Sequence, residues 1–368
     1  MSDKPIKVLM VVTNLRVSNG VAAFAINYLR KLDSKEIQMD FAVYQEWENN
    51  YNEEIKALGG RVFLLPSVKN PVAHYRMCKK LLTEGNYDII HDNTLLITFP
   101  IMRAAKKRIP HRVLHSHSSC LGDSPAHEKR NKLFMPLLKR CANHYAACSS
   151  KAGKAMFGDK PFDIIPNVID TERYRYNAKT REIVRKRENC TDKLVIATVG
   201  RVTEAKNPFF AVDVFESVAE KLPDAEYWWI GSGLLDERLK EYVASKKIKD
   251  RIRLFGNRND TPDLYQAMDL FFMPSVFEGF GMVCVEAQAA GLQCVVSDTL
   301  VREVDVTGNV KFISLNNSKR EWADIIIKTL SGGQNREDPY ECVRNCCFSD
   351  TEAKTLLSDY YRSLLKTK

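Results

Sequence analysis

Short apolar segments that alternate with longer segments of helical spacing constrain this fold more than any other sequence feature. A first series consists of KVLMVV, QMDFAVY, RVFLLP, YDIIH, HRVLHSH and HYAACS. A second series begins at KLVIATVG and continues through AEYWWIG, IRLFGN, DLFFMPS and QCVVSD. Strands that alternate with helices form parallel sheets that are covered on both faces. The sequence therefore predicts an α/β fold with two parallel-sheet domains.

The domain boundary is predicted at the start of a polar stretch, residues 170–192, that is rich in Lys, Arg, Glu and Asn. A length of 368 residues also exceeds what one hydrophobic core usually organises. Residues 349–368 carry apolar side chains at helical intervals and are predicted to form a closing helix. We thus expect an N-terminal domain of residues 1–169 and a C-terminal domain of residues 170–348, with ligands at the carboxyl ends of the strands.

The composition argues against membrane-spanning and metal-binding classes. The opening segment, MSDKPIKVLMVVTNL, holds an apolar run too short to span a membrane and no cleavage site, so we expect a cytoplasmic protein. The ten cysteines lack C-x-x-C pairs, which favours reduced thiols over disulfides or a zinc site. The seven histidines lack the spacing of metal ligands, so neither a metal nor a cofactor is predicted.

Positive charge is concentrated in one region of the chain. Between residues 76 and 160 there are sixteen Lys and Arg against six acidic residues, a difference of +10, while the whole chain carries +9. A local excess of this kind indicates an anionic partner for that region. No pattern of stacking aromatic residues or of a recognition helix accompanies it, so nucleic acid is not the predicted partner.

The segment FFMPSVFEGFGMVCVEAQAAGLQCVVSD reads as a buried strand, a glycine-containing loop and a helix that begins near Met282. Glu278 lies in the loop, and Glu286 lies about one turn into the helix. Glycines let the backbone approach a ligand, and the amides at a helix start favour an anion. Two carboxylates that flank an anion site suit a nucleotide sugar, with hexose hydroxyls at one end and ribose hydroxyls at the other. Taken alone, the pair also fits another interpretation, in which Glu278 caps the helix and Glu286 is merely solvated.

A second segment, TVGRVTEAKNPFFAVDVF, places Arg201 and Lys206 in a loop between a strand and a helix. Two fixed cations at this point would stabilise the charge that develops on a departing diphosphate. The alternative is that Arg201 and Lys206 are ordinary surface charges.

His115 and His117 lie two residues apart at the end of an apparent strand, so both should face the same side of the sheet. Of the two, His117 lies nearer the carboxyl end, and we prefer it as the site histidine.

These segments resemble a known enzyme family. SVFEGFGMVCVEAQAAG is similar to the E-x7-E signature of family 4 glycosyltransferases, and GRVTEAKN is similar to their G-R-x4-K-N phosphate site. The resemblance extends over nearly the whole chain and is strongest to capsular and exopolysaccharide transferases of bacteria. It further rests on NGVAAFAINYLRKLD, YDIIHDN, HRVLHSHS, DIIPNVIDTERY and DLYQAMDLFFMPS.

The resemblance implies the GT-B architecture: two Rossmann-like domains that face each other across a cleft, with the closing helix 349–368 returning to the N-terminal acceptor domain. It makes the C-terminal domain the donor domain and assigns catalytic roles to His117, Glu278, Arg201 and Lys206. Asn19 stands where many relatives have a second glycine. The implied donor-binding residues are Gly20, Arg201, Lys206, Asn257, Arg258, Glu278, Gly279, Phe280, Gly281, Met282, Val283 and Glu286.

The implied function is a retaining, metal-independent transfer of a hexose or N-acetylhexosamine from a UDP-sugar to a lipid-linked or glycan acceptor in capsule or exopolysaccharide synthesis. One alternative is a nucleotide-sugar epimerase of the same architecture. Another is an NAD-dependent oxidoreductase, which the Rossmann-like pattern suggests. GSGLLD at residues 231–236 follows a strand and is similar to a dinucleotide-binding motif. There Asp236 replaces the third glycine of the dinucleotide motif, so a turn or packing role is predicted instead.

The basic region also predicts peripheral binding to the anionic inner face of the cell membrane. Basic residues between 129 and 140 alternate with apolar ones, as in a helix that rests on lipid headgroups. The alternative is an ordinary surface helix, in which the basic residues face solvent and the apolar residues pack on the core. The basic residues are Lys129, Arg130, Lys132, Lys139 and Arg140, the apolar ones are Leu133, Phe134, Met135, Leu137 and Leu138, and a second basic group consists of Arg103, Lys106, Lys107, Arg108 and Arg112.

Overall fold

A computed structural model describes residues 4–17, 19–118, 121, 125–332, 336, 338–351 and 353–366, without the side chains of residues 125–127 and 354. The chain divides into two compact units. The first comprises residues 1–168 and 350–368, and the second comprises residues 169–349. Each division lies one residue from the position that the sequence pattern indicated.

The first unit is built on seven parallel strands in the order β3-β2-β1-β4-β5-β6-β7. The strands are β1 Ile6–Val12, β2 Ile37–Val43, β3 Val62–Leu64, β4 Ile89–Asp92, β5 His111–Ser116, β6 His144–Ala147 and β7 Asp163–Ile164. The helices are α1 Gly20–Leu29, α2 Asn52–Ala57, α3 Pro71–Glu84, α4 Phe99–Ala105, α5 Pro125–Lys139 and α6 Ser150–Phe157, with a 3-10 helix at Leu96–Thr98.

The second unit is built on six parallel strands in the order β10-β9-β8-β11-β12-β13. The strands are β8 Leu194–Val199, β9 Ala225–Ile230, β10 Ile252–Gly256, β11 Leu270–Met273, β12 Gln293–Ser297 and β13 Val310–Ile313. The helices are α7 Thr171–Tyr174, α8 Ala178–Arg187, α9 Pro208–Lys221, α10 Asp236–Ala244, α11 Thr261–Ala267, α12 Met282–Ala289, α13 Lys319–Ser331 and α14 Tyr340–Arg344. Three-residue 3-10 helices occur at Glu204–Lys206, Lys249–Arg251 and Arg302–Val304.

Each sheet is covered by apolar side chains on both faces, as the near-continuous apolar strands predict. In β1, Leu9 and Val11 belong to one core cluster, whereas Val8 and Met10 belong to the other. The second unit likewise has two clusters, one on each side of its sheet. The alternation of side chains along each strand therefore supplies both cores.

The chain closes with helix α15, Ala353–Lys366, which belongs to the first unit. Its residues Leu357, Tyr361 and Leu364 are buried and lie in the same core cluster as Phe24 and Tyr28 of α1. The predicted closing helix is thus part of the N-terminal core. No helix in the described part of the chain is long and apolar enough to cross a membrane.

Candidate active site

The acidic loop of the second unit has a backbone shape that requires glycine. The loop leaves buried strand β11 and enters α12 at Gly281, which has a left-handed φ of 95°. A Cβ at this position would lie 3.0 Å from Cδ2 of Leu300, so a side chain would be strained and crowded. Phe280 anchors the loop, because its ring packs 4.4 Å from that of Phe348 between centroids. Glu278 and Glu286 thus stand at the loop and in the second turn of α12, as the spacing predicted.

The two motifs of the second unit meet through an ion pair between Lys206 and Glu278. Only 14% of the Lys206 side chain and 17% of the Glu278 side chain are exposed, so the pair is well shielded from solvent. The backbone N–H of Val276 donates to the carbonyl oxygen of Ala205 at 2.9 Å and ties the two loops together. The sequence had treated Lys206 and Glu278 as ligands of separate groups, and their contact was not predicted.

Arg201 follows β8 and is exposed. Within the part of the chain that the structure describes, its guanidinium has no hydrogen bond or ion pair, so its charge is available to a ligand. The neighbouring GSGLLD segment packs against the same loop. Gly231 has a φ of 133°, and a Cβ there would lie 2.2 Å from the carbonyl oxygen of Gly200. Asp236 accepts a hydrogen bond of 2.8 Å from the backbone of Gly233, so the segment serves a turn and packing role.

Glu286 lies in an environment that disfavours its charge. Burial raises its pKa to about 7, against hydrogen bonds from Tyr265 and Tyr174 that lower the pKa. The hydroxyl of Tyr265 lies 3.0 Å from Oε2 of Glu286. Tyr265 on α11 is fully buried. The sequence did not identify either tyrosine, because a tyrosine in a helical apolar stripe looks like an ordinary core residue.

Asn257 and Arg258 follow β10, in the turn that precedes α11. The guanidinium of Arg258 is already engaged by Asp260, at 2.7 Å, and by Glu188, at 3.2 Å. These carboxylates raise the pKa of Arg258. The structure therefore places Arg258 in an ion-pair network of the second unit, and a contact with a base would require it to exchange partners.

In the first unit, Gly20 begins α1, and a Cβ added there would meet no atom within 4 Å outside its chain neighbours and its own helix backbone. Asn19 has an extended φ of −94° and caps the helix, because its side chain accepts from the backbone N–H groups of Val21 and Ala22. Its Nδ2 donates to Oδ1 of Asn14 at 3.1 Å. The asparagine that departs from the family pattern is therefore a helix cap that orders the loop.

The two predicted histidines stack on each other at the end of β5, with ring centroids 4.1 Å apart. They face the same side of the sheet, as predicted. A third histidine, His91 of β4, joins them, because its Nε2 lies 3.0 Å from Nδ1 of His115. Burial lowers the pKa of His117 to about 4 and that of His91 to about 3. The cluster is therefore neutral at physiological pH.

Sequence reasoning set His91 aside as one of several scattered histidines. The signal that could have found it is the position of His91 in YDIIHDN, at the end of a strand that neighbours β5. The structure thus groups the predicted residues by unit. Glu278, Glu286, Arg201 and Lys206 belong to the second unit with residues 257–258 and 279–283, whereas Gly20 and His117 belong to the first.

Comparison with known proteins identifies the family to which each half of the chain is similar. The sequence model described as "Glycosyltransferase Family 4" matches residues 18–173, and the model "Glycosyl transferases group 1" matches residues 179–345. The two models together span both units. This chain belongs to the family 4 glycosyltransferases. The sequence-based resemblance is thereby confirmed, and the comparisons favour neither the epimerase nor the oxidoreductase.

Individual relatives of this glycosyltransferase extend the likeness. The putative glycosyltransferase EpsF of Bacillus subtilis is 29% identical over 351 residues, which cover 92% of this chain and 91% of EpsF. The UDP-Gal:alpha-D-GlcNAc-diphosphoundecaprenol alpha-1,3-galactosyltransferase of Escherichia coli is 26% identical over 261 residues, 66% of this chain and 65% of that enzyme. The crystal structure of Anabaena HepE with UDP and glucose aligns with a TM-score of 0.81 at 18% identity, over 97% of this chain and all of HepE. The fold is therefore of the predicted GT-B type.

Proposed function

We propose that this glycosyltransferase moves a hexose or N-acetylhexosamine from a UDP-sugar to a lipid-linked or glycan acceptor, with retention, in capsule or exopolysaccharide synthesis. The observation that carries the proposal is the pair of bonded loops of the second unit, one with Arg201 and Lys206, the other with Glu278 and leading into α12 with Glu286. The names of the relatives support the donor and acceptor classes, since one acts with UDP-Gal on a GlcNAc-diphosphoundecaprenol and another is crystallised with UDP and glucose.

Donor binding uses the two carboxylates. Glu286 accepts hydrogen bonds from the ribose hydroxyls, and its second-turn position leaves the amides at the start of α12 for the diphosphate. Glu278 accepts from hydroxyls of the donor sugar. Because Lys206 already neutralises Glu278 in the free protein, a diphosphate that draws Lys206 toward itself also frees Glu278 for the sugar. Sugar binding and diphosphate binding are therefore coupled through this ion pair.

Arg201 and Lys206 take the place that a divalent cation has in other transferases. As the bond from the anomeric carbon to the diphosphate oxygen breaks, its electron pair moves to the diphosphate and the negative charge there grows. Fixed cations stabilise this charge more in the transition state than in the ground state. The acceptor hydroxyl attacks the anomeric carbon on the same face and passes its proton to an oxygen of the departing diphosphate, so the configuration is retained. The resemblance assigns a catalytic role to His117, whose pKa is lowered by burial to about 4, so that its side chain is neutral.

A thermal-shift panel tests the proposal. UDP and UDP-sugars should raise the melting temperature, because a ligand that binds only the folded state stabilises it. NADH should not raise it. Incubation with each UDP-sugar without acceptor should give at most slow hydrolysis, whereas an epimerase would produce a new UDP-sugar. A panel in which no uridine nucleotide stabilises the protein would refute the proposal.

Peripheral membrane binding is the second part of the proposed function, and α5 of the first unit supports it. Leu133, Phe134 and Leu137 are 72%, 45% and 43% exposed. Met135 and Leu138 are buried in the core beneath the helix. The apolar set of the sequence prediction therefore divides between an inner and an outer face, and the outer face is the one that could enter a lipid surface.

The basic residues around this face divide in the same way. Lys129, Arg130, Lys132 and Arg140 are exposed, as are Arg103, Lys106, Lys107 and Arg108 on and after α4. Arg112 is different, because its guanidinium donates to the backbone oxygens of Ile109, Pro110 and Cys141 at 2.7–2.8 Å. Arg112 is half-buried at the start of β5, so its place in the second basic group stays a prediction, with its guanidinium already bonded to the backbone. Each exposed basic residue near an anionic surface adds on the order of 1 kcal/mol, less at high salt.

Vesicle sedimentation tests this part. The protein should sediment with vesicles of anionic lipid at low salt and dissociate from them at high salt. It should not bind vesicles of neutral lipid. A variant with glutamine in place of Lys129, Arg130, Lys132, Lys139 and Arg140 should lose binding. Its control carries the same change in charge at exposed positions of the second unit, Arg238, Lys240, Lys247, Lys249 and Lys328. Equal binding by the α5 variant and its control would exclude α5 as the membrane contact.

A further inference from the structure

Five side chains of the first unit form a continuous chain of contacts. Of the five, only His117 has a role in the proposed chemistry. The Oη of Tyr361 on α15 lies 2.7 Å from Nδ1 of His91, whose Nε2 lies 3.0 Å from Nδ1 of His115. The ring of His115 stacks on that of His117, whose Nε2 lies 2.9 Å from Oδ1 of Asn93. We name these five residues the histidine relay. It connects the closing helix to the predicted site histidine.

Asn93 determines which nitrogen of His117 carries the hydrogen. Its Nδ2 lies 3.1 Å from the carbonyl oxygen of His91 and 3.4 Å from that of Val11, and both oxygens can only accept. The Oδ1 of Asn93 is therefore the atom that meets His117. Because an amide oxygen cannot donate, Nε2 of His117 carries the hydrogen in this contact, and a neutral ring is then bare at Nδ1. The side chain of Asn167 also interacts with this ring.

A count of unpaired groups gives the direction of the remaining bonds. If Tyr361 donates to Nδ1 of His91, then His91 donates from Nε2 to His115, and one group is left over, the Nε2–H of His115. In the opposite direction two groups are left over, the hydroxyl hydrogen of Tyr361 and the bare Nε2 of His115. Nε2 of His115 makes no hydrogen bond of good geometry with any described residue, although a backbone group of Ile165 interacts with this histidine. Each buried polar group without a partner is costly, so the first direction is favoured.

The packing around the relay holds its rings in place. The ring of Phe24 meets the rings of His115 and His117 edge-on, with centroids 5.0 and 4.7 Å away. His91 and His115 are themselves stacked, at 5.2 Å. Burial lowers the pKa of each of the three histidines, and the pKa of His115 falls well below its ordinary value. Protonation therefore does not rearrange the hydrogens of these rings near neutral pH.

We propose that Tyr361 and Asn93 are positioning residues that hold His117 in one orientation and one tautomer. Asn93 bonds to His117 directly. Tyr361 acts through His91 on His115, whose ring is the surface against which His117 stacks. The closing helix thereby contributes to the active site without touching the substrate. The relay is a property of the first unit alone, and only the effect on sugar transfer rests on the proposed function.

Nitrogen-15 NMR of the full chain, labelled in histidine, tests the relay independently of activity. His91, His115 and His117 should all carry hydrogen on Nε2. His74 provides an internal contrast, because its Nδ1 lies 2.7 Å from the carbonyl oxygen of Pro66 and must carry the hydrogen there. Hydrogen on Nδ1 of any of the three relay histidines would overturn the proposal.

Neighbouring tyrosines of α15 provide a matched pair of variants. Tyr361→Phe removes the hydroxyl that begins the relay, whereas Tyr360→Phe removes a buried hydroxyl that has no hydrogen-bond partner among the residues that the structure describes. In Tyr361→Phe we expect His91 and His115 to populate both tautomers. The kcat of UDP-sugar hydrolysis should fall by roughly 10- to 100-fold with KM unchanged, as for a misplaced catalytic group. Tyr360→Phe should behave as wild type in both measurements.

The two measurements separate failure of the relay from failure of the proposed function. The substrates are UDP-glucose, UDP-galactose and UDP-N-acetylglucosamine, each tested separately. If no uridine nucleotide stabilises the protein, the proposed function fails, and the tautomers of the wild type and of Tyr361→Phe still decide the relay. If Tyr361→Phe retains wild-type tautomers, or hydrolyses its substrate as fast as Tyr360→Phe, Tyr361 does not position His117.

Discussion

Glu286→Gln should make the free protein more stable and the nucleotide complex weaker. Burial raises the pKa of Glu286 from 4.5 to about 7. A carboxyl whose pKa is raised on folding costs stability when it is charged. This cost is absent below the unfolded pKa of 4.5, grows as the pH rises, and is complete above pH 7. The pKa difference corresponds to about 3 kcal/mol, and because the Glu286 residue is only half-buried, solvent reduces this to on the order of 1–2 kcal/mol.

The loss in binding follows from the same carboxylate. A hydrogen bond to a charged acceptor contributes about 1.5–3 kcal/mol, and a neutral amide contributes about 1 kcal/mol less. With two ribose hydroxyls the difference is about 2 kcal/mol, which corresponds to roughly 30-fold weaker binding of UDP. Glu286→Ala removes the acceptor altogether and should show no detectable UDP binding.

Calorimetry measures both effects. At pH 8 Glu286→Gln should melt at a higher temperature than wild type without ligand, and this advantage should vanish near pH 4.5. Titration with UDP at pH 8 should show the weaker binding. Glu241→Gln, at an exposed position on α10, is the control and should change neither quantity. UDP binding as tight as in wild type would refute the assignment of Glu286 to the ribose, and an unchanged melting temperature at pH 8 would refute the buried charge.

Further predictions concern the catalytic step. Arg201→Ala and Lys206→Ala should each lower kcat more than they weaken UDP-sugar binding, because the charge of the leaving group is greatest in the transition state; equal effects would mean that they serve binding only. Excess chelator should leave the rate unchanged, whereas a rate that collapses and returns with magnesium or manganese would overturn the metal-independent mechanism. His117→Ala should fold and lose most transfer, and His115→Ala should lose less; the reverse ranking in a transfer assay would show that His115 is the site histidine.

The sequence by itself determined the two parallel sheets and the loops that carry the predicted donor-binding residues. Strand and helix periodicity is a local property, and a strand buried on both faces leaves a continuous apolar run such as KLVIATVG. Glycine requirements are local as well, which is why the loop that ends at Gly281 could be recognised. The cap formed by Asn19 is also local, yet it was seen only as a departure from the family pattern.

Only the tertiary structure decided which of these side chains meet. Lys206 and Glu278 lie 72 residues apart, and Tyr361 and His91 lie 270 residues apart. No periodicity records such pairs, because a side-chain hydrogen bond depends on distances and angles that are set by packing of whole elements. The same holds for Arg112, whose charge counts as surface charge in the sequence but whose guanidinium is bound to backbone oxygens in the fold. The sequence gives the type and position of each residue, whereas the packing of segments that are distant in the sequence determines which side chains contact each other.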